Sequence, residues 1–210
     1  VTGMQHPESK RSVTTILSVT GHADRAGALI AAAFDRLEVA QWLITDGIER
    51  QRVLSGQFTM LVDHVMHTGG WVDVAVDDAS DWTGVAVWAD RARPAAAPPR
   101  YDERLAALAG PHLPRLQTLD AAFEARHPVA PPHHHLMFLA VAPSVHGNGI
   151  GTDLLRHGLD RVDDAGHAAY LEAASADLCR LYARHGFTAS DPITLPDDGP
   201  HLYPMLRLGH

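Results

Sequence analysis

The feature that most constrains this chain is a six-residue apolar run, Leu136-Met137-Phe138-Leu139-Ala140-Val141, that feeds through Ala142-Pro143 into a glycine-rich turn. The turn reads Val145-His146-Gly147-Asn148-Gly149-Ile150-Gly151, and helical periodicity resumes at about Thr152. A continuous apolar run of this length predicts a central strand buried on both faces. A helix N-terminus leaves backbone N–H groups unpaired and carries partial positive charge. Glycines permit positive φ and let a ligand approach the backbone closely. The turn is therefore suited to a phosphate or pyrophosphate, although an ordinary tight strand-to-helix connection would carry the same residues. A dinucleotide fold needs Gly-x-Gly-x-x-Gly near the start of a βαβ repeat, and here Asp153-Leu154 follows Gly151 with no third glycine in register. The Gly-Lys-Ser/Thr of a nucleotide-triphosphate loop is absent.

The segments before the turn set its context. Residues 16–19 read as a short strand. Residues 22–44 carry Ala26, Leu29, Ile30, Ala33, Phe34 and Leu37 at helical spacing, and residues 48–67 form a second helical stretch before Gly69-Gly70. The period then changes to two across 71–77 and 83–88, with a turn at 78–81, which predicts a hairpin. An Ala- and Pro-rich loop, 91–99, is expected to be mobile and near a binding cleft. Helices are expected over 102–108 and 113–126, followed by a breaker segment, 127–135, with three prolines and four histidines. Beyond the glycine turn the pattern gives a helix over 152–165, a strand over 168–172, a helix over 176–185, and strands over 187–190 and 203–208.

At 210 residues the chain suits one domain, taken as residues 12–210, with residues 1–11 a disordered arm or cloning remnant. The excess of 25 acidic over 17 basic residues argues against nucleic acid as the main partner. A single cysteine, Cys179, cannot form an internal disulfide and is expected to be inert helix packing. No apolar run approaches the roughly 20 residues a membrane span needs, so no membrane association is expected and the cytoplasm is the expected location. The acidic hairpin residues Asp73, Asp77 and Asp78 read as a solvated face. His133-His134-His135 would point to alternate sides of an extended segment and so suit one metal ion poorly; no metal is expected.

Taken together, Val141-Ala142-Pro143 followed by His146-x-x-Gly149-x-Gly151, and downstream Leu181-Tyr182-Ala183-Arg184-His185-Gly186-Phe187, resemble the GNAT superfamily of N-acetyltransferases. Within it, Ala31-Ala32-Ala33-Phe34, Val85-Ala86-Val87-Trp88, Tyr170-Leu171-Glu172, Leu195-Pro196-Asp197-Asp198-Gly199-Pro200 and Met205 are similar to the branch around puromycin N-acetyltransferase. The resemblance implies an α/β (α+β) fold: a mixed, mostly antiparallel, twisted sheet of about six to seven strands flanked by helices. It also implies transfer of an acetyl group from acetyl-CoA to the primary amine of a small molecule in a ternary complex, and it leaves room for a homodimer. A non-catalytic acyl-CoA-binding module is the other reading. Two departures favour it: His146 stands where the pattern has Arg or Gln, and Leu178 where it has Asn.

The same resemblance implies the site. Leu139, Ala140 and Val141 would line the co-substrate, with the Val141 amide polarising the thioester carbonyl. His146, Gly147, Asn148, Gly149, Ile150, Gly151 and Thr152 would hold the pyrophosphate. Tyr182 would protonate the departing thiolate, and Glu172 would take the amine proton directly or through water. Phe34, Trp88, Phe138 and Tyr203 are the expected acceptor-binding residues.

Overall fold

The computed structural model describes residues 14–93 and 97–209. The expected N-terminal arm and residues 94–96 of the Ala/Pro loop lie outside the described residues. One path of strands runs β1 (Thr15–Val19), β2 (Trp71–Val76), β3 (Trp82–Asp90), β4 (His133–Val141), β5 (Ala168–Ala173), β8 (His201–Arg207) and β6 (Thr188–Ala189); a short β7 (Ile193–Thr194) pairs with β8. All neighbours are antiparallel except β4 and β5. The sheet is thus mixed, open and mostly antiparallel, with the apolar run at its centre as expected.

Two cores cover its two faces. On one, α1 (Ala23–Phe34), α2 (Glu38–Leu43), α3 (Gly47–His67), α4 (Tyr101–Ala109) and α5 (Leu113–Arg126) supply Ile30, Leu54, Leu105 and Leu116 to a cluster with Val72, Val74, Val85 and Val87. On the other, α6 (Ile150–Asp164) and α7 (Ala176–Ala183) supply Leu154, Leu155, Val162 and Tyr182 against Ala86, Trp88, Leu136 and Leu171. The alternation of Val85 and Val87 against Ala86 and Trp88 along β3 follows from the two-residue strand period.

Several boundaries depart from the sequence pattern. The single helix expected over 22–44 is two, α1 and α2. The buried Arg50 guanidinium binds Asp35 at 2.9 Å and the Ile44 and Thr45 carbonyls at 2.8 and 3.1 Å, which fixes the chain reversal between them. α3 starts one residue early because the Asp46 carboxylate caps the Glu49 N–H. The histidine run is not a loop leading into the central strand: His133, His134 and His135 are its first three residues, and all are buried. Asp73 is not on a solvated face either. It is fully buried on β2, accepting from Ser18 Oγ at 2.5 Å with Arg161 at 3.7 Å. Asp77 does stay exposed, and its carboxylate accepts the Ala79 and Asp81 N–H groups to form the turn.

Candidate active site

The central geometric fact is where β4 and β5 stop pairing. They are parallel neighbours only over His133↔Ala168, His134↔Ala169 and His135↔Tyr170. Beyond that rung β4 continues to Val141 with β3 on one side only, Gly84 opposite Val141. The β5-facing edge of residues 136–141 therefore has no strand partner, and interior backbone groups left this way need another partner. A register shift between Val87 and Trp88, with Val87 opposite Phe138 and Trp88 opposite Leu136, places an extra residue, Met137, in β4. Such a bulge bends its strand.

A cavity of about 1100 Å³ fills this opening, large enough for an extended ligand and a small molecule together. Leu139, Ala140 and Val141 line it, and so do His146, Gly147, Gly149, Ile150, Gly151 and Thr152 at one end; Asn148 does not. α6 begins at Ile150, two residues earlier than the pattern suggests, with Gly149 as its N-cap at φ 86° and no side chain capping it. Its first internal bond is Asp153 N–H to the Gly149 carbonyl, at 3.0 Å, so the preceding amides are left for a ligand. Gly147 has φ 83°, and nothing lies within 4 Å of where a Cβ would stand at Gly147 or Gly149. These are the features an anionic pyrophosphate requires: bare amides, a helix N-terminus and an open approach. His146 lines this end too, but its Nε2 is committed to the Val141 carbonyl at 2.8 Å and ties the turn to the strand end.

At the fork itself His135 and Glu172 meet. Glu172 lies two residues beyond Tyr170, the last paired residue of β5, and accepts from His135 Nε2 at 2.8 Å. Both are almost wholly buried, with side chains 10% and 7% exposed. A carboxylate accepts only, so His135 carries its proton on Nε2; the Tyr170 hydroxyl also bears on the Glu172 carboxylate. Burial alone would raise the Glu172 pKa. The adjacent His135 imidazole and smaller contributions from the Tyr170 hydroxyl and His127 together outweigh this, and the carboxyl lies below its ordinary value.

Behind the pair is a second imidazole couple. His133 Nδ1 donates to the Pro131 carbonyl at 2.9 Å, and His133 Nε2 lies 3.0 Å from His127 Nε2. Burial, followed by the charge of His135, pushes the His127 pKa down to about 3; burial also lowers that of His133. Both are then neutral, and His127 Nε2–H must be the donor to His133. His134 points to the opposite face, against Trp71 and His167, as alternation along a strand demands.

Tyr182 lines the cavity from α7, with its ring edge-on to Phe187 at 5.9 Å. Burial, with a smaller contribution from Cys179, raises its pKa, so the phenol is protonated at neutral pH. Cys179 Sγ is held against the Ser175 carbonyl at 3.4 Å, and burial raises its pKa as well. Leu178, where the pattern has Asn, also lines the cavity.

Of the four expected acceptor residues, Phe34 and Phe138 line the cavity and pack with Phe58, with Phe58 and Phe138 centroids 4.8 Å apart. Trp88 and Tyr203 do not line it. Trp88 is completely buried in the α6-side core, stacked on Trp71 at 5.7 Å. Tyr203 sits on β8 opposite Ala173 and packs on the same core. Trp88 misses the cleft because strand alternation sends it to the other face from Val87. Residues without any motif complete the cleft: Gln57, Tyr101 and Asp120. Gln57 Nε2 donates to Tyr101 Oη at 2.9 Å, and Tyr101 Oη donates to Asp120 Oδ2 at 3.0 Å.

The sequence model of the acetyltransferase (GNAT) family matches residues 67–187, more than half of the 210 residues. The chain belongs to that family. Among solved structures it is similar to a histone acetyltransferase HPA2 and related acetyltransferase from Corynebacterium glutamicum, at 26% identity and TM-score 0.70 over 94% of this chain and 97% of that one. The fold is shared with arylalkylamine N-acetyltransferase 2 from Aedes aegypti, at 14% identity and TM-score 0.61, covering 93% and 99% of the two chains. It is shared also with an agmatine N-acetyltransferase, at 16% identity and TM-score 0.54, covering 92% and 98%. Among the described residues, no helix is long and apolar enough to cross a membrane.

Proposed function

We propose that the protein transfers the acetyl group of acetyl-CoA to the primary amine of a small molecule. The observation that carries this reading is the fork between β4 and β5, with an uncapped helix N-terminus and a buried His–Glu pair both lining the cavity it opens. Acetyl-CoA would supply an acyl carbon activated by a good thiolate leaving group, its thiol similar in acidity to free cysteine at about pKa 8.5. The amides of Gly147, Gly149, Ile150, Gly151 and Thr152 would hold its pyrophosphate, and the free edge at Leu139, Ala140 and Val141 its pantetheine arm.

The remaining chemistry belongs to proton transfer. A lysine-like amine is charged at neutral pH, with a pKa of about 10, and must lose a proton before attack. Glu172 takes it, directly or through water. The paired His135 shares the resulting change in charge. Tyr182, held protonated by burial, donates to the departing sulfur. The acyl group passes directly between substrates, because Cys179 is held against its own helix and is not needed as a nucleophile.

On Ala31 to Phe34, Tyr170 to Glu172 and Leu195 to Pro200 we place the chain in the branch around puromycin N-acetyltransferase, acting on antibiotic-like or aminonucleoside amines in the cytoplasm. A second reading, an acyl-CoA-binding module without turnover, is favoured by Leu178 and by His146, whose side chain is committed to the Val141 carbonyl. Calorimetric titration with acetyl-CoA, followed by thiol release over a panel of amines, tests both. Binding with amine-dependent thiol release supports transfer. Binding without release on any amine supports the module, and no binding at millimolar acetyl-CoA overturns both.

A further inference from the structure

The cleft lining holds four acids that the proposed transfer does not use, Asp90, Asp102, Asp120 and Glu124, and of these Asp120 sits deepest in apolar surroundings. α5 turns Asp120, Phe123, Glu124 and His127 toward the cavity, the i, i+3, i+4, i+7 spacing of one helix face. His127 marks the reacting end, its ring 5.0 Å from that of His135. Asp120 lies seven residues back, about 10 Å along the helix at 1.5 Å per residue. Seven residues are nearly two turns, so the two side chains project in the same direction. Between them the wall is largely hydrocarbon, Phe123 and Leu119 from α5 with Phe58 and Phe138 also lining the cavity, interrupted by the exposed Glu124.

Asp120 is half-buried in this apolar surrounding, and its described hydrogen bond is the one from Tyr101. Among the described residues no cationic side chain pairs with it, and the cavity lining contains one Arg or Lys, Arg91, placed at the His127 end. A carboxylate taken out of water without a counter-charge is unfavourable, and Tyr101, itself fixed by Gln57, holds this one facing the cavity.

We propose that Asp120 selects the acceptor by pairing with a second cationic group carried on the order of 10 Å or more from the acetylated nitrogen, so that the acceptor class is a diamine with an apolar spacer. This rests on the transferase reading above and on acetyl-CoA as donor, and it replaces the aminonucleoside acceptor with amines that carry a second cationic group. The two ammonium groups have separate receptors, Glu172 at the reacting end and Asp120 at the anchoring end, and the phenylalanine wall takes the hydrocarbon between them.

The test is steady-state acetylation of three probes: octamethylenediamine, octylamine of the same length with one amine, and the shorter tetramethylenediamine. The wild type is expected to favour octamethylenediamine over both others by about tenfold or more in kcat/KM, an increment typical of a partly buried charged hydrogen bond. Asp120→Asn is expected to erase that preference, chiefly through KM, while leaving octylamine within about twofold. Equal use of octylamine and octamethylenediamine by the wild type overturns the proposal without any variant, and so does an equal loss on both amines in Asp120→Asn. If the wild type binds acetyl-CoA by calorimetry but acetylates none of the three, the diamine class is overturned while co-substrate binding stands. If acetyl-CoA does not bind, the transferase reading falls with it.

Discussion

His135 Nε2, on the last rung that joins β4 and β5, and Glu172 Oε2, two residues past it, face each other at 2.8 Å. This position makes the pair the floor of the cleft. Glu172→Gln should lower kcat/KM for amine acetylation by about 10²–10³-fold, the range of a lost general base, with acetyl-CoA affinity changed less than about twofold. Rates across pH and a binding titration would show it. A variant with wild-type rates would remove Glu172 from proton transfer. Because the folded carboxyl lies below its ordinary value of 4.5, its stabilising contribution is present above that pH and fades as pH falls through the folded value. The wild type should therefore lose more stability on acidification than the variant.

Tyr182→Phe should lower kcat by about tenfold or more and leave acetyl-CoA affinity near wild type, since only the hydroxyl is removed and the ring keeps its packing on Phe187. The loss should shrink for thioesters with more acidic leaving thiols, which need less protonation. Unchanged turnover with acetyl-CoA would take the role of acid from this residue.

Gly149→Val should abolish detectable acetyl-CoA binding. The position has φ 86°, where a β-branched residue is strained, and a side chain would project into the open approach to the α6 amides. Circular dichroism would establish that the fold persists, and calorimetry would read the binding. Retained affinity would show that the pyrophosphate is held elsewhere.

Burial raises the Asp120 pKa from 3.8 to about 6, with Asp102 adding to the rise and the Tyr101 hydrogen bond opposing it. The folded state thus binds its proton more tightly than the unfolded state. This unfavourable ionisation grows as pH rises from 3.8 to about 6 and is complete above it. Asp120→Asn should therefore be more stable than wild type by about 1–2 kcal/mol at pH 8, with the advantage vanishing below pH 4. Thermal melts at both pH values would check it, and an equal difference at both would contradict the buried, raised carboxyl.

The sequence was informative where local physics decides. The apolar run at Leu136 to Val141, the glycine turn and the capped helices depend on patterns within a few residues, and the central strand and the uncapped α6 follow from them. What required the sheet was less legible. Glu172 was a candidate, but its partner His135 is 37 residues away in the chain, and only the parallel register brings them together. Trp88 looked like a cleft aromatic until strand alternation placed it in the opposite core. Asp73 looked like a surface acid, yet Ser18 and Arg161 from distant segments surround it. Asp120, Tyr101 and Gln57 carry no motif because they meet across three helices.

The parting of β4 and β5 has a mechanical consequence. Within the sheet, three paired rungs join one block, β1 to β4, to the other, β5 with β8 and β6, while the α6 core spans both. The open edge of β4 is an interior version of the unpaired edge that proteins ordinarily shield. A ligand lying along that edge substitutes for the missing rungs and locks the two blocks together. The protein should melt as a stiffer unit when loaded, gaining about 2.7 kcal/mol at a hundredfold excess over its dissociation constant, with the increased protection from hydrogen exchange concentrated on both sides of the seam.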